Sequence, residues 1–214
     1  EDIAKHLKIN VRDSMSALDI KNNLLGVCDQ MYLFEPGDDT TVCVLKAVKP
    51  KKVKLFTGPP SHKEDDAKVV HELMNNADIR IVSGGTTSQI VARELGVEVK
   101  SSTEIYDKEV PPIAYIQGVD LVTEGVLTLS KTIDRLKSLS KSLDSDIFKA
   151  KDGASQMAKL LYSASHIKLL VGRSLNIANA ESSFQRDLEL RLHVVGELEK
   201  ILVKLGKIVT VEYY

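Results

Sequence analysis

The chain is poor in the residues that usually announce a function. Its 214 residues include no tryptophan, 5% aromatics and two cysteines. No apolar run approaches the ~20 residues that span a bilayer, and the opening "EDIAKHLKIN" is charged from its first residue, unlike a secretory leader. There is no excess of either charge: the formal net charge is −1, so the overall balance favours neither a nucleic-acid nor an acidic-membrane partner. Cys28 and Cys43 lack the spacing of a CxxC or metal-ligand pair. Both lie in apolar patterns and read as buried free thiols, which suits a reducing, cytoplasmic setting. Neither GxGxxG nor GxxxxGK[ST] occurs, so neither standard nucleotide fingerprint applies.

What is present is alternation. Residues 14–33 read as a helix, with Ile20, Leu24, Val27, Cys28 and Met31 on one face and Asp13 or Ser14 as cap. "EPGDD" over 35–39 is a turn, and the β-branched "TVCVLKAV" over 41–48 reads as a strand. A basic linker, "KPKK", follows at 49–52. A helix and one strand cannot bury the strand's edges, so this segment needs a larger neighbour.

From Val53 the pattern becomes regular. The strands are "VKLFTG", "IRIVSGG", a short "VEVK", "VDLVTEG", "HIKLLVGRS" and "KIVTVEYY". Between them lie helical stretches. The first carries the capping-box spacing of Ser61 and Glu64, with Ala67, Val70, Leu73, Met74 and Ala77 on one stripe. "TSQIVAREL" stops at Gly96, "VLTLSKTIDRLKSL" turns Val126, Leu129, Ile133 and Leu136 inward, and "GASQMAKLLYSA" is capped by Asp152. A long helix covers 184–205; residues 101–118 are irregular, and 140–152 form a polar connection. Strands alternating with helix-bearing crossovers give an α/β fold: a three-layer, doubly wound, mostly parallel and Rossmann-like sheet over 50–214.

In such sheets ligands bind beyond the carboxyl ends of the strands. Four loops fall there if the strands are parallel: Thr57-Gly58-Pro59-Pro60, Ser83-Gly84-Gly85-Thr86-Thr87, Thr123-Glu124-Gly125 and Gly172-Arg173-Ser174. Each holds a glycine and a hydroxyl. The second offers glycine amides and a helix start to an anion; equally, its glycines make the turn and Thr86 or Thr87 caps the helix. Arg173 is the only basic residue of the four loops. Asp120 and Glu124 are candidates to bind hydroxyls, hold a cation or act as a base; alternatively, Asp120 caps a strand end and Glu124 faces solvent. "HELMN" at 71–75 lacks the second histidine of a zinc helix, and "HKEDD" at 62–66 places acids where a helix dipole favours them.

Two resemblances add to this. A helix followed by "PGDDTTVCVL" resembles the end of the catalytic domain in bacterial metal-dependent serine phosphatases of the stage II sporulation protein E type, within the type 2C protein phosphatase family. The resemblance implies that Asp38, beside Asp39, ligates Mn²⁺ or Mg²⁺ in an intact protein. Hard cations take carboxylates and activate the attacking water. The family's other ligands, including an early Asp-Gly, have no counterpart here, since Asp152-Gly153 falls at a helix start. With Glu1 in place of an initiator Met, the resemblance implies a C-terminal piece of a larger phosphatase: 1–49 as the remnant of the catalytic domain and 50–214 as an extension. This piece alone is expected to be inactive and to need no cofactor itself. Its expected partners are the upstream phosphatase domain, a small anionic ligand and, optionally, a second copy of the chain.

The second resemblance is local. "SGGTTSQIVAREL" is similar to the phosphate loop of sugar-phosphate isomerases and of sugar-phosphate-sensing repressors. It implies a phosphorylated small molecule as ligand. The expected function is therefore ligand-responsive regulation of the phosphatase, with Thr57, Gly58, Ser83–Thr87, Glu124, Gly125, Arg173 and Ser174 as the contacts. The alternatives are a sugar-phosphate enzyme using Asp120 or Glu124, and a structural or dimerisation module whose glycine loops are only turns.

Overall fold

The computed structural model describes residues 2–35, 37, 39–139, 147, 149–174 and 181–214. The chain divides into two compact units, Glu1–Lys49 and Pro50–Tyr214.

The first unit holds helices α1 (Asp2–Asn10) and α2 (Ala17–Met31). Ser16 caps α2 rather than Asp13 or Ser14. Its side chain accepts from the Asp19 amide, and the Asp19 carboxylate accepts from the Ser16 amide at 2.8 Å, a reciprocal capping box. His6 Nε2 meets Asn23 Oδ1 at 2.7 Å and ties the two helices. The expected strand over 41–48 does not form: these residues have no regular structure, and Leu45 is 94% exposed. A β-branched run becomes a strand only where a neighbour pairs its amides, and no described residue of this unit is in a strand. Lys46 instead donates to the carbonyls of Asp13 and Met15, both at 2.6 Å. The thiols differ from expectation as well: Cys28 is half-buried and Cys43 exposed.

The second unit is a three-layer α/β fold around a seven-stranded, mostly parallel sheet. Its strands are β1 (Lys52–Thr57), β2 (Ile79–Ser83), β3 (Lys100–Ser101), β4 (Ala114–Tyr115), β5 (Leu121–Thr123), β6 (His166–Val171) and β7 (Ile208–Tyr213). Their order is β3-β4-β5-β2-β1-β6-β7. The run β5-β2-β1-β6-β7 is parallel, while β4 pairs antiparallel with β3 and β5. From β1 the chain passes to β2, then to the far edge at β3, returns inward through β4 to β5, and crosses to β6 on the other side of β1. The topological switch point therefore lies between β1 and β6.

The period of two sorts each strand between two cores. Leu55, Ile81, Leu121 and Leu169 face helices α5 (Val126–Leu139), α6 (Gly153–Ser163) and α7 (Glu181–Lys204). Their neighbours Phe56, Val82, Val122 and Leu170 belong to the core built with α3 (Asp66–Met74) and α4 (Gly85–Leu95). Such near-continuous apolar strands are what burial on both faces requires. The α3 start departs from the capping-box expectation: a 3₁₀ turn over Lys63–Asp65 precedes the helix, and the Ser61 hydroxyl donates to the Tyr214 carbonyl at 3.3 Å. Asp152 caps α6 by accepting from the Ser155 amide at 2.9 Å. Most of the polar connection over 140–152 lies outside the described residues.

The amino ends of the strands share one device. Asp78, Asp120 and Ser165 each precede a strand, and their side chains accept from the amides of Lys52 in β1 (2.8 Å), Arg80 in β2 (2.7 Å) and Lys51, just before β1 (2.9 Å). The side chains satisfy amides that the ladder leaves open at its start.

Candidate functional site

At the carboxyl ends of β1, β2 and β5 the chain leaves a hollow of about 520 Å3, within the range of small-molecule sites. Its floor is made by turns that two buried hydroxyls hold together. The Gly58 amide donates to Thr87 Oγ1 at 3.0 Å, joining the β1 turn to the first turn of α4. Ser83 Oγ donates to the Gly125 carbonyl at 3.4 Å and accepts from Thr123 Oγ1 at 3.2 Å, joining the β2 and β5 ends. Thr87 and Ser83 are 1% and 0% exposed. These two hydroxyls therefore serve the scaffold, while Gly85 and Thr86 present exposed positions to the hollow.

Two helices begin at this floor, and glycine caps both. Gly84 precedes α4 at φ +122°, a backbone conformation that suits glycine alone. Its carbonyl accepts from the Ser88 amide at 2.8 Å, and its own amide donates to the Thr123 carbonyl at 3.0 Å. The Gly125 carbonyl accepts from the Leu129 amide at 3.0 Å and so opens α5. The caps abut: a Cβ placed on Gly125 would lie 3.6 Å from Gly84 Cα. A glycine cap has no side chain to fold back on the first turn, so the leading amides of both helices stay available to a ligand. Each dipole end favours an anion by about 0.3–1 kcal/mol, or up to ~2 when partly buried.

A cation stands over this floor, but it is not the expected one. Arg191, on α7, lines the hollow. Its Nη1 donates to the Gly172 carbonyl at 3.2 Å. Burial pulls its pKa below the ordinary arginine value, and Asp187, one turn earlier, acts in the opposite direction. Arginine remains charged throughout the accessible range. Arg173 does not line the hollow; its guanidinium carbon lies 5.3 Å from the Tyr213 ring centroid, and its amide donates to the Tyr214 carbonyl at 2.9 Å. Ser174 turns its amide to the Pro59 carbonyl at 3.0 Å.

These bonds explain why the hollow sits beside the switch point rather than at it. The Gly172 amide donates to the Thr57 carbonyl at 2.9 Å, and a Cβ at Gly172 would fall 2.1 Å from the Pro59 oxygen. The β1 and β6 turns thus zip together backbone to backbone beyond the strand ends. The open space lies on the β1, β2 and β5 side, with Arg191 across the seam.

Of the residues that the sequence puts forward, Thr57, Gly58, Ser83, Gly84, Gly85, Thr86, Thr87, Glu124 and Gly125 line this one hollow. Glu124 is exposed there. Asp120 is at the amino edge, opposite the hollow, occupied by the Arg80 amide. Asp38 lies outside the described residues, and among the described residues no group of three or more His, Cys, Asp or Glu side chains is gathered as a metal site. No described helix is long and apolar enough to cross a membrane. Sequence reasoning missed Arg191, Asp187, Leu190, Leu127 and Pro111, which also line the hollow; the α7 residues lie far along the chain from the loops they cover. No protein-family model, no curated protein and no solved structure matches the chain.

Proposed function

We propose that the unit Pro50–Tyr214 binds a small phosphorylated or otherwise anionic molecule in the hollow at Gly84, Gly125 and Arg191, and that it serves as the C-terminal regulatory part of a metal-dependent protein serine/threonine phosphatase. The observation that carries the binding reading is the convergence of two glycine-capped helix starts and the half-buried Arg191 guanidinium on one concavity. Each contribution is modest alone; together they favour one negative group at one place.

The phosphatase link is supported by the "PGDDTTVCVL" resemblance and by the apolar exposure of the first unit. There α2 has no buried residue, and Met31, Leu33, Phe34 and Leu45 are 79%, 83%, 76% and 94% exposed. Such a set wants a covering domain. In this reading Asp38 belongs to a Mn²⁺ or Mg²⁺ site completed by upstream residues, and ligand in the hollow tunes that domain from the cytoplasm.

Thermal unfolding with inorganic phosphate tests the binding half. The melting temperature should rise for the wild type and not for Arg191→Ala; an unchanged temperature at saturating phosphate counts against it. The stretch that precedes Glu1 in the parent protein tests the other half, by the presence or absence of an Asp-Gly metal motif.

A second reading draws on Glu124, an exposed carboxylate in the hollow: an isomerase-like enzyme that uses it as general base. Sugar-phosphate turnover that Glu124→Gln abolishes would favour this reading over regulation.

A further inference from the structure

The hollow has a rim as well as a floor, and the two differ in chemistry. Leu127 on α5 and Leu190 on α7 are 49% and 50% exposed. Both line the concavity, as do Val126 and Pro111. A single exposed leucine needs no account. Two leucines from different helices, facing one concavity whose floor is polar, form a subsite for something apolar.

Two exposed carboxylates, Glu124 and Asp187, line the same hollow. They repel a second anionic group and accept hydrogen bonds from hydroxyl or amino donors. An inorganic ion would fill the floor and leave the rim wet. A bisphosphate or triphosphate would bring its further charges against the carboxylates.

Resting on the anion-binding reading above, we propose that the natural occupant is a phosphomonoester of an aromatic alcohol or nucleoside. Its single phosphoryl group lies at the Arg191 floor, and its planar, apolar body covers Leu127 and Leu190. Arg191 fixes the anion and the leucines select what is attached to it.

Calorimetric titration of the full chain with four probes tests this: inorganic phosphate, glycerol phosphate, phenyl phosphate and adenosine monophosphate. Phenyl phosphate and adenosine monophosphate should bind about tenfold more tightly than glycerol phosphate, the gain expected for covering one leucine-sized apolar face. Leu127→Asn and Leu190→Asn should each erode that preference and leave the affinity for inorganic phosphate within roughly twofold, since neither substitution touches the floor. If glycerol phosphate binds as tightly as phenyl phosphate while phosphate still binds, the apolar selection is overturned and the anion site stands. If none of the four binds, both fall.

Discussion

Arg191 lies where a side chain on Gly58 would have to be. A Cβ at Gly58 would fall 2.5 Å from Arg191 Nη1 and 2.8 Å from the Gly172 carbonyl oxygen that Nη1 binds. Gly58 has φ +79°. The absence of a side chain at the end of β1 therefore lets an arginine from α7 reach across the β1–β6 seam to the hollow.

Gly58→Ala should cost stability and displace the guanidinium together. The backbone term is about 1–2 kcal/mol for a non-glycine residue in the left-handed region. The arginine head is flexible and will swing away, so phosphate affinity should fall more than stability alone accounts for. Gly172→Ala is harsher, because its clash is with the carbonyl oxygens of Gly58 and Pro59 at 2.2 and 2.1 Å. Two backbone segments cannot yield as a side chain can, and a loss of about 3 kcal/mol or more is expected. Chemical unfolding of both variants checks the order.

Thr87 offers a different test, of scaffold against ligand contact. Its buried hydroxyl accepts from the Gly58 amide at 3.0 Å. Thr87→Val leaves that amide without a partner and should cost about 1–3 kcal/mol. Thr87→Ser retains the acceptor and should recover most of the loss. Thr86→Val, at an exposed position in the same turn, should leave stability within about 0.5 kcal/mol. Equal effects at Thr86 and Thr87 would contradict the division of labour between them.

Acid should loosen the face of the sheet bearing Lys54 and Lys168. Glu72 lies 2.8 Å from Lys168 and 2.6 Å from Lys54, and these cations hold its carboxyl below the ordinary 4.5. Lys168 at 2.6 Å and the Tyr214 hydroxyl at 2.8 Å do the same for Glu212. The unfolded chain takes up these protons at a higher pH than the folded one. Stability from the pairs is therefore complete above the ordinary carboxylate value and is lost as pH falls through the depressed values. Glu72, Lys168 and Glu212 are 30–42% exposed, so solvent screens the effect. Across about pH 6 to 3, Glu72→Gln should show a shallower loss of melting temperature than the wild type; an identical slope would remove the network from the account.

The parts of this fold that sequence reveals are those set by local period. "VKLFT", "IRIVS" and "HIKLLV" declare buried strands because both faces of each strand meet a core, and Gly96 and Asp152 mark helix ends by their backbone and capping chemistry. The stretch over 41–48 misleads for the complementary reason: β-branched composition states what a segment does when paired, and pairing is not local. The site divides in the same way. Ser83–Thr87 and Glu124-Gly125 are visible as glycine turns after strands. Arg191 is hidden, because nothing in a helix sequence says that one turn of it will lie over Gly58. Arg173, adjacent in sequence to a strand end, instead meets Tyr213 and the end of the chain, since β6 is hydrogen-bonded to β7 there.

Backbone amide chemical shifts of the ¹⁵N-labelled chain during titration with inorganic phosphate report most directly on the claim that the hollow is an anion site. The account predicts saturable shifts centred on Gly85, Thr86 and Val126, at the two helix starts, with Arg191→Ala weakening the affinity about tenfold or more, the loss expected for a charge-assisted contact. Shifts confined to the Lys54–Lys168 face, or no saturable shift at Gly85 and Thr86, would contradict it.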